Sequence, residues 1–289
     1  MRYTPKQITR TICQIAESPE ASEKEKIERL CLLLDDHGPQ FNGINLSIFL
    51  NRVAKLDRIS QHQCIRYIEV RLPVIKRLVQ NNFSQFAPRN VANLIWALGV
   101  LKIYDRSFLD WISGSIVQKI KEFDPQGLAN MAWGHATLGA RDHKLMSAIA
   151  EESLERIGQF NCQELGNLAW SMATLGIHHE RLLAELAYEA QKQIKDFTPL
   201  SLTNLVWAYA TLEVRLPTLL TKTGDAAVFS LHRFQPRDLS ILSWAYAKLD
   251  THHELLFNAI AHMSKPILHQ FSSQGLSNLA CADIGLEMS

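Results

Sequence analysis

By residue type, the groups best suited to metal or acid–base chemistry are two histidine pairs, His178–His179 and His252–His253. Each pair is followed by a glutamate, Glu180 or Glu254. Imidazole and carboxylate make a zinc site when three or four of them converge. These clusters stand two periods of a 37-residue repeat apart, on equivalent turns too distant to share one ion, and they read as surface turns. The five cysteines, Cys13, Cys31, Cys64, Cys162 and Cys281, are odd in number, scattered and without a CxxC pair. That excludes a disulfide framework and a zinc module, and it favours a reducing compartment. No Gly-rich phosphate loop, GxSxG or HExxH is present. These absences describe a non-enzymatic chain with no cofactor and no metal site.

The remaining chemistry is recognition by polar side chains at fixed spacing. Three residues after successive phenylalanines stand Arg89, Gln126, Gln163, Leu200, Arg237 and Gln274. Next to them stand Asn90, Gly127, Glu164, Ser201, Asp238 and Gly275. Residues that vary from repeat to repeat are the ones able to discriminate bases, and amides, guanidinium and carboxylates can read Watson–Crick edges. The candidate RNA-binding set is therefore Arg89, Asn90, Gln126, Gln163, Glu164, Ser201, Arg237, Asp238 and Gln274; an ordinary solvated first turn is the competing account. Lys119, Lys121, Arg156, Lys195 and Arg233, with Lys192 and Lys265 nearby, precede the phenylalanines. They suit phosphate contact, or simple complementation of a helix dipole.

What positions these residues is an internal repeat. Phenylalanines at 86, 123, 160, 197, 234 and 271 are each 37 residues apart. Ten residues on come Trp96, Trp133, Trp170, Trp207 and Trp244, with Cys281 in the sixth copy. Fifteen residues on come Leu101, Leu138, Leu175, Leu212, Leu249 and Leu286. Fainter copies begin at Phe41, where Asn51 replaces the Trp, and at Tyr3. The Phe41 copy runs 45 residues, which predicts an insertion near Arg71 to Gln85. Residues 1–85 thus read as a helical cap of one or two degenerate repeats, and 86–289 as five clear repeats plus a truncated sixth.

Each repeat predicts two helices. Pro88, Pro125, Pro199 and Pro236 suit the first helical position, and Asp124, Asn161, Thr198 and Ser272 suit the N-cap before it. Helix A runs about 13 residues, with Gly139 and Gly176 ending two copies. Helix B follows, and no strand pattern appears. The fold class is all-α, an α-α solenoid of 37-residue two-helix repeats.

Counting from the Phe, positions 5, 8, 12 and 15 of helix A (Leu165, Leu168, Met172 and Leu175 in one copy) form an apolar stripe facing helix B. Small residues at positions 6 and 13, such as Gly166 and Ala173, permit close approach of the next repeat. Positions 3, 7 and 14 form a polar stripe beside the Trp. Two roles are open to the constant Trp and Asn: sealing the seam between repeats, with Asn bonded to a neighbouring backbone, or stacking and bonding a strand of RNA.

Charge sets a limit. The chain holds 30 Lys plus Arg against 29 Asp plus Glu, and residues 86–289 hold 17 against 20, so any grip on RNA must be local. No apolar run reaches the ~20 residues of a membrane span. Arg2, Lys6 and Arg10, with no acid before Glu17, faintly echo an organelle presequence, although the same residues fit the repeat.

The strings FDPQGLANMAWGHATLG, FNCQELGNLAWSMATLG and FTPLSLTNLVWAYATLE resemble octotricopeptide and heptatricopeptide repeats, and with them the helical repeats of FAST-kinase-like and RAP-domain proteins. The resemblance covers Phe86 to Leu286 clearly and Tyr3 to Gln85 weakly. It implies an organellar protein that binds single-stranded RNA and acts on transcript stability, processing or translation. Its compartment would be the mitochondrion, with plastid or cytoplasm as alternatives. The family's RNA-facing residues correspond to the variable positions of helix A. Such proteins often end in a RAP domain, whereas this sequence stops within helix A of its sixth clear repeat, which reads either as a fragment or as a truncated cap. The class-different alternative is a protein-interaction scaffold that uses the same stripe on a peptide or partner helix.

Overall fold

A computed structural model describes residues 3–59 and 65–287. Arg2 and Cys64, and the side chains of Cys281 and Leu286, lie outside the described residues. Every regular element among those residues is a helix, and the fold is an all-α solenoid of two-helix repeats. The chain divides into two compact lobes, Met1–Ala148 and Ile149–Ser289.

In the first lobe, α1 (Pro5–Ala16) and α2 (Glu23–His37) form one pair. The Phe41 repeat supplies α3 (Gly43–Ile59), α4 (Ile65–Glu69) and α5 (Leu72–Asn82). Then come α6 (Pro88–Val100), α7 (Arg106–Gln118) and α8 (Pro125–Thr137). The division falls within α9 (His143–Glu155). The second lobe continues with α10 (Cys162–Thr174), α11 (Glu180–Lys192), α12 (Pro199–Thr211), α13 (Pro217–Ser230), α14 (Pro236–Lys248), α15 (Glu254–Ser264) and α16 (Ser273–Glu287). Helix A packs on helix A: α1, α3, α6 and α8 in sequence, and separately α10, α12, α14 and α16. A single 3-10 turn precedes the phenylalanines 86, 123, 160, 197 and 234. Phe123 and Phe160 are buried, each contributing roughly 1.5–3 kcal/mol.

The expected insertion is placed differently by the structure. Helix α5 and the turn Phe83–Gln85 stand before Phe86 as helix B and its turn stand before each later Phe, so residues 71–85 keep the register. The extra length lies earlier, in an α3 that runs 17 residues rather than 13 and in the added α4.

The end of helix A is the same in all five clear repeats. Position 16 adopts left-handed φ at Lys102, Gly139, Gly176, Glu213 and Asp250. Its N–H bonds the carbonyl three residues back, and the next N–H bonds the carbonyl five back, as in Ile103 N to Leu98 O at 3.0 Å. This paired arrangement satisfies the last carbonyls and turns the chain toward helix B.

The apolar stripe is buried as expected: Leu165, Leu168, Met172 and Leu175 are closed from solvent. Position 12 is less uniform. Tyr209 and Tyr246 are fully buried there, and their hydroxyls donate to the carbonyls of Leu183 (2.5 Å) and Leu220 (2.6 Å) on the preceding helix B. In the third occurrence, His135 is fully buried between the Met131 carbonyl at 2.9 Å from Nδ1 and the Ser113 hydroxyl at 3.2 Å from Nε2. With Nδ1–H donating to the carbonyl, Nε2 accepts from Ser113.

Small residues set the spacing of the A helices. A Cβ built on Gly134 would stand 2.6 Å from the Ile95 carbonyl oxygen, and one on Gly166 would stand 2.9 Å from the Ser201 carbonyl oxygen. These obstacles are backbone and cannot swing away. Gly134→Ala should therefore cost about 1–3 kcal/mol through overpacking, read as a lowered midpoint in urea unfolding.

Burial holds the His135 imidazole below its ordinary value. The unfolded chain then binds a proton that the folded chain refuses, so this contribution is complete above about pH 6.5 and is lost as pH falls below it. Between about pH 7.5 and 5.5 the melting temperature should drop, and His135→Leu should flatten that drop. An equal drop in both proteins would refute the assignment.

Candidate nucleic-acid interface

Positions 3, 7, 10 and 14 of helix A fall within about 60° of its circumference at 100° per residue. They lie on the open side of the A-helix stack in each lobe. Position 3 is exposed in all six repeats, at Arg89, Gln126, Gln163, Leu200, Arg237 and Gln274. Position 7 is half-buried at Asn93, Asn130, Asn167, Asn204, Ile241 and Asn278, and so are all five position-10 tryptophans. Position 14 is mixed: Val100 is buried, Thr137 and Thr174 half-buried, Thr211 and Lys248 exposed. In the first lobe this brings Arg89 and Gln126 onto adjacent helices. In the second it aligns Gln163, Leu200, Arg237 and Gln274 on the consecutively packed α10, α12, α14 and α16.

The tryptophans pack along the seam. Trp96 and Trp133 have ring centroids 6.4 Å apart at 31°, and Trp170 and Trp207 are 6.3 Å apart at 34°. Each ring is thus half-buried, shared between its neighbour and solvent. The asparagines behave otherwise. Asn93, Asn130, Asn167 and Asn204 make no side-chain hydrogen bond among the described residues, so the expected bond to a neighbouring backbone is not formed. Asn278 differs, accepting from Gln274 Nε2 at 3.0 Å.

Position 4 turns out to serve the helix N-terminus. The Ala87 N–H donates to Asn90 Oδ1 (3.2 Å), that of Asn161 to Glu164 Oε2 (2.9 Å) and that of Gln235 to Asp238 Oδ2 (3.0 Å). The Ser201 hydroxyl pairs with that of Thr198 at 2.9 Å. In the two glycine copies the N-cap side chain caps alone: the Gly127 N–H donates to Asp124 Oδ1 (2.7 Å) and that of Gly275 to Ser272 Oγ (3.1 Å). Asn161 and Thr198 cap in the same way, accepting from the N–H groups of Glu164 (3.0 Å) and Ser201 (3.2 Å). Where the N-cap is Ala87 or Gln235, the position-4 side chain supplies the bond. Where position 4 is not glycine, its side chain thus takes part in its own cap, an arrangement of known type. The first turn divides into Asn90, Glu164, Ser201 and Asp238, engaged in caps, and Arg89, Gln126, Gln163, Arg237 and Gln274, facing solvent.

Charge on this face is sparse and of one sign. Positions 3, 7, 10 and 14 hold Arg89, Arg237 and Lys248 and no acid from residue 86 onward. Arg89 and Arg237 have no ion pair among the described residues, whereas Lys248 reaches Glu213 at 2.7 Å. Of the cations at the end of helix B, Lys119, Lys121, Lys195 and Arg233 are exposed and unpaired among the described residues. Arg156 is half-buried against Glu152 at 2.7 Å, and Lys192 is held by Glu189 at 2.8 Å over the Tyr188 ring. Glu122 and Asp196 directly follow Lys121 and Lys195 and offset them.

The second histidine of each pair has a structural role. His179 Nδ1 accepts the Leu182 N–H (3.2 Å) and His253 Nδ1 that of Leu256 (3.3 Å), so each caps a helix B. Their Nε2 atoms face Glu151 (3.2 Å) and Asp225 (3.3 Å) on the preceding helix B. These bonds tie successive B helices together. The same slot holds Asp105 and Asp142, whose carboxylates cap α7 and α9, a correspondence visible in the 37-residue register alone.

No curated protein matches the chain. A family model does: that of the RNA-editing substrate-binding complex 6 protein, over residues 48–285. It spans both lobes, from α3 into α16, and far more than half of the sequence. The octotricopeptide-type resemblance agrees with it on a helical-repeat chain, but the family shown by the match is the latter. This two-helix repeat chain belongs to the RNA-editing substrate-binding complex 6 protein family.

Proposed function

We propose that this protein binds single-stranded RNA along the exposed face of its A helices and acts by binding rather than by chemistry. The observation that carries this is the solvent-facing row at position 3. It varies as Arg, Gln, Gln, Leu, Arg and Gln, and in the first five of these repeats it is flanked by a part-exposed Trp. Variable hydrogen-bonding side chains beside constant aromatic faces suit unstacked bases, with about one base per repeat by analogy with other helical arrays. Lys119, Lys121, Lys195 and Arg233 serve the phosphates. The family name speaks of a complex that binds RNA-editing substrates, which supports RNA and other proteins as partners and a role in RNA processing; the organellar setting of that role, in the mitochondrion, follows from the repeat resemblance alone. A second reading, a scaffold for an apolar protein segment, is favoured by one feature of the same row: Leu200 stands 58% exposed at position 3, as does Ile44 at 48% in the Phe41 repeat.

Fluorescence polarisation with short randomised single-stranded RNA, at low and moderate salt, tests this. Binding should be micromolar or tighter and weaken with salt. Arg89→Ala with Arg237→Ala should reduce affinity by about tenfold or more. A folded protein that binds no RNA at low salt would sink the proposal and direct attention to a protein partner.

Position 4 provides the contrasting prediction. Glu164→Ala should lower stability by about 1 kcal/mol through the lost cap, with RNA affinity unchanged. Loss of affinity at unchanged stability would return position 4 to the binding surface.

A further inference from the structure

The constant asparagines at position 7 carry an inference that rests on the RNA reading above and sharpens it. We infer that Asn93 and Asn130 in the first lobe, and Asn167 and Asn204 in the second, hold the ribose 2′-hydroxyls of the RNA that lies on each lobe, so that the A-helix face selects RNA over DNA.

Constancy is the first argument. Position 3 changes from repeat to repeat, whereas position 7 is asparagine in four consecutive repeats. A side chain that does not vary is matched to a part of the ligand that does not vary, and in a nucleic-acid strand that is the sugar or the phosphate. The chemistry of the amide then separates the two. A phosphate oxygen only accepts hydrogen bonds and is anionic, so it is best served by Arg or Lys. A hydroxyl both donates and accepts. An asparagine offers Oδ1 to the hydroxyl proton and Nδ2–H to the hydroxyl oxygen. The 2′-hydroxyl is also the group by which a protein tells RNA from DNA.

The structure removes the ordinary scaffold explanation. The four amides are half-exposed and make no hydrogen bond among the described residues, so neither a cap nor a neighbouring backbone accounts for asparagine there. They share a helix face with the position-3 side chains and the tryptophans, one turn from each. Electrostatics give the contact its weight. Only Arg89 and Arg237 stand unpaired on the face, within an array holding 17 basic and 20 acidic residues. The ionic attraction common to RNA and DNA is correspondingly small, and neutral hydrogen bonds decide between them. The fifth repeat lacks the contact, because Ile241 replaces the asparagine; in the sixth, Asn278 is already bonded to Gln274.

The full chain is titrated with short randomised single-stranded RNA, DNA of the same length, and 2′-O-methyl RNA, with affinity read by polarisation. RNA should bind about tenfold or more tightly than DNA, and the 2′-O-methyl strand should fall toward DNA. Asn130→Ala with Asn167→Ala should remove most of the preference while leaving DNA binding and the melting temperature in place. Ile241→Asn, which adds a contact, should raise RNA affinity and leave DNA affinity alone. Equal binding of RNA and DNA by the unmodified chain overturns the inference and leaves the RNA surface standing. Full preference in the double variant also overturns it. Binding of neither nucleic acid overturns the RNA reading itself, and this inference with it.

Discussion

The close approach of one A helix to the next is the constraint on which the rest of the structure depends. At Gly134 the Ile95 carbonyl of the preceding A helix lies where a Cβ would be, and at Gly166 the Ser201 carbonyl of the following one does the same. With that side given to the neighbouring repeat and the leucine stripe given to helix B, helix A has one arc left for solvent. Positions 3, 7, 10 and 14 occupy that arc. The exposed face is therefore a consequence of how small residues and leucines are distributed around 13 residues, and it recurs because the sequence recurs. The shared left-handed turn at position 16 and the buried Phe at the start of each repeat fix where every copy of that face begins and ends.

Within that face, a capping residue and an outward-facing residue stand side by side. Position 4 faces back toward its own helix N-terminus, where every side chain other than glycine joins the cap. Position 3 faces out, and nothing inside the fold explains its variation. Adjacent residues thus answer to different demands, one to helix stability and one to whatever lies against the surface. The same separation appears at position 7, where four asparagines meet no internal need. The tryptophans sit between the two demands, packed against one another and still partly open.

Much of the fold was legible because its key residues repeat without change. The 37-residue spacing of Phe, Trp and Leu, with prolines at the first helical position, defines both helices and their buried faces. The misplaced insertion in the Phe41 repeat has a simple cause: its extra residues carry no repeat marker, whereas α5 keeps the register of Phe86. Roles that depend on a partner elsewhere in the chain were less visible. Tyr209, Tyr246 and His135 sit in a slot that periodicity marks as apolar, and their polar ends find partners on the preceding helix B. The capping bonds of position 4 are hidden in the sequence because capping and recognition draw on the same residue types.

The central claim is that the outward arc of helix A is the RNA surface. It is tested most directly by ultraviolet cross-linking of bound single-stranded RNA followed by peptide mapping of the adducts. The account predicts adducts within α6, α8, α10, α12 and α14, concentrated between positions 3 and 10, with α7, α11 and α13 spared. Adducts confined to the B helices, or none above background from a folded and saturated protein, would contradict it.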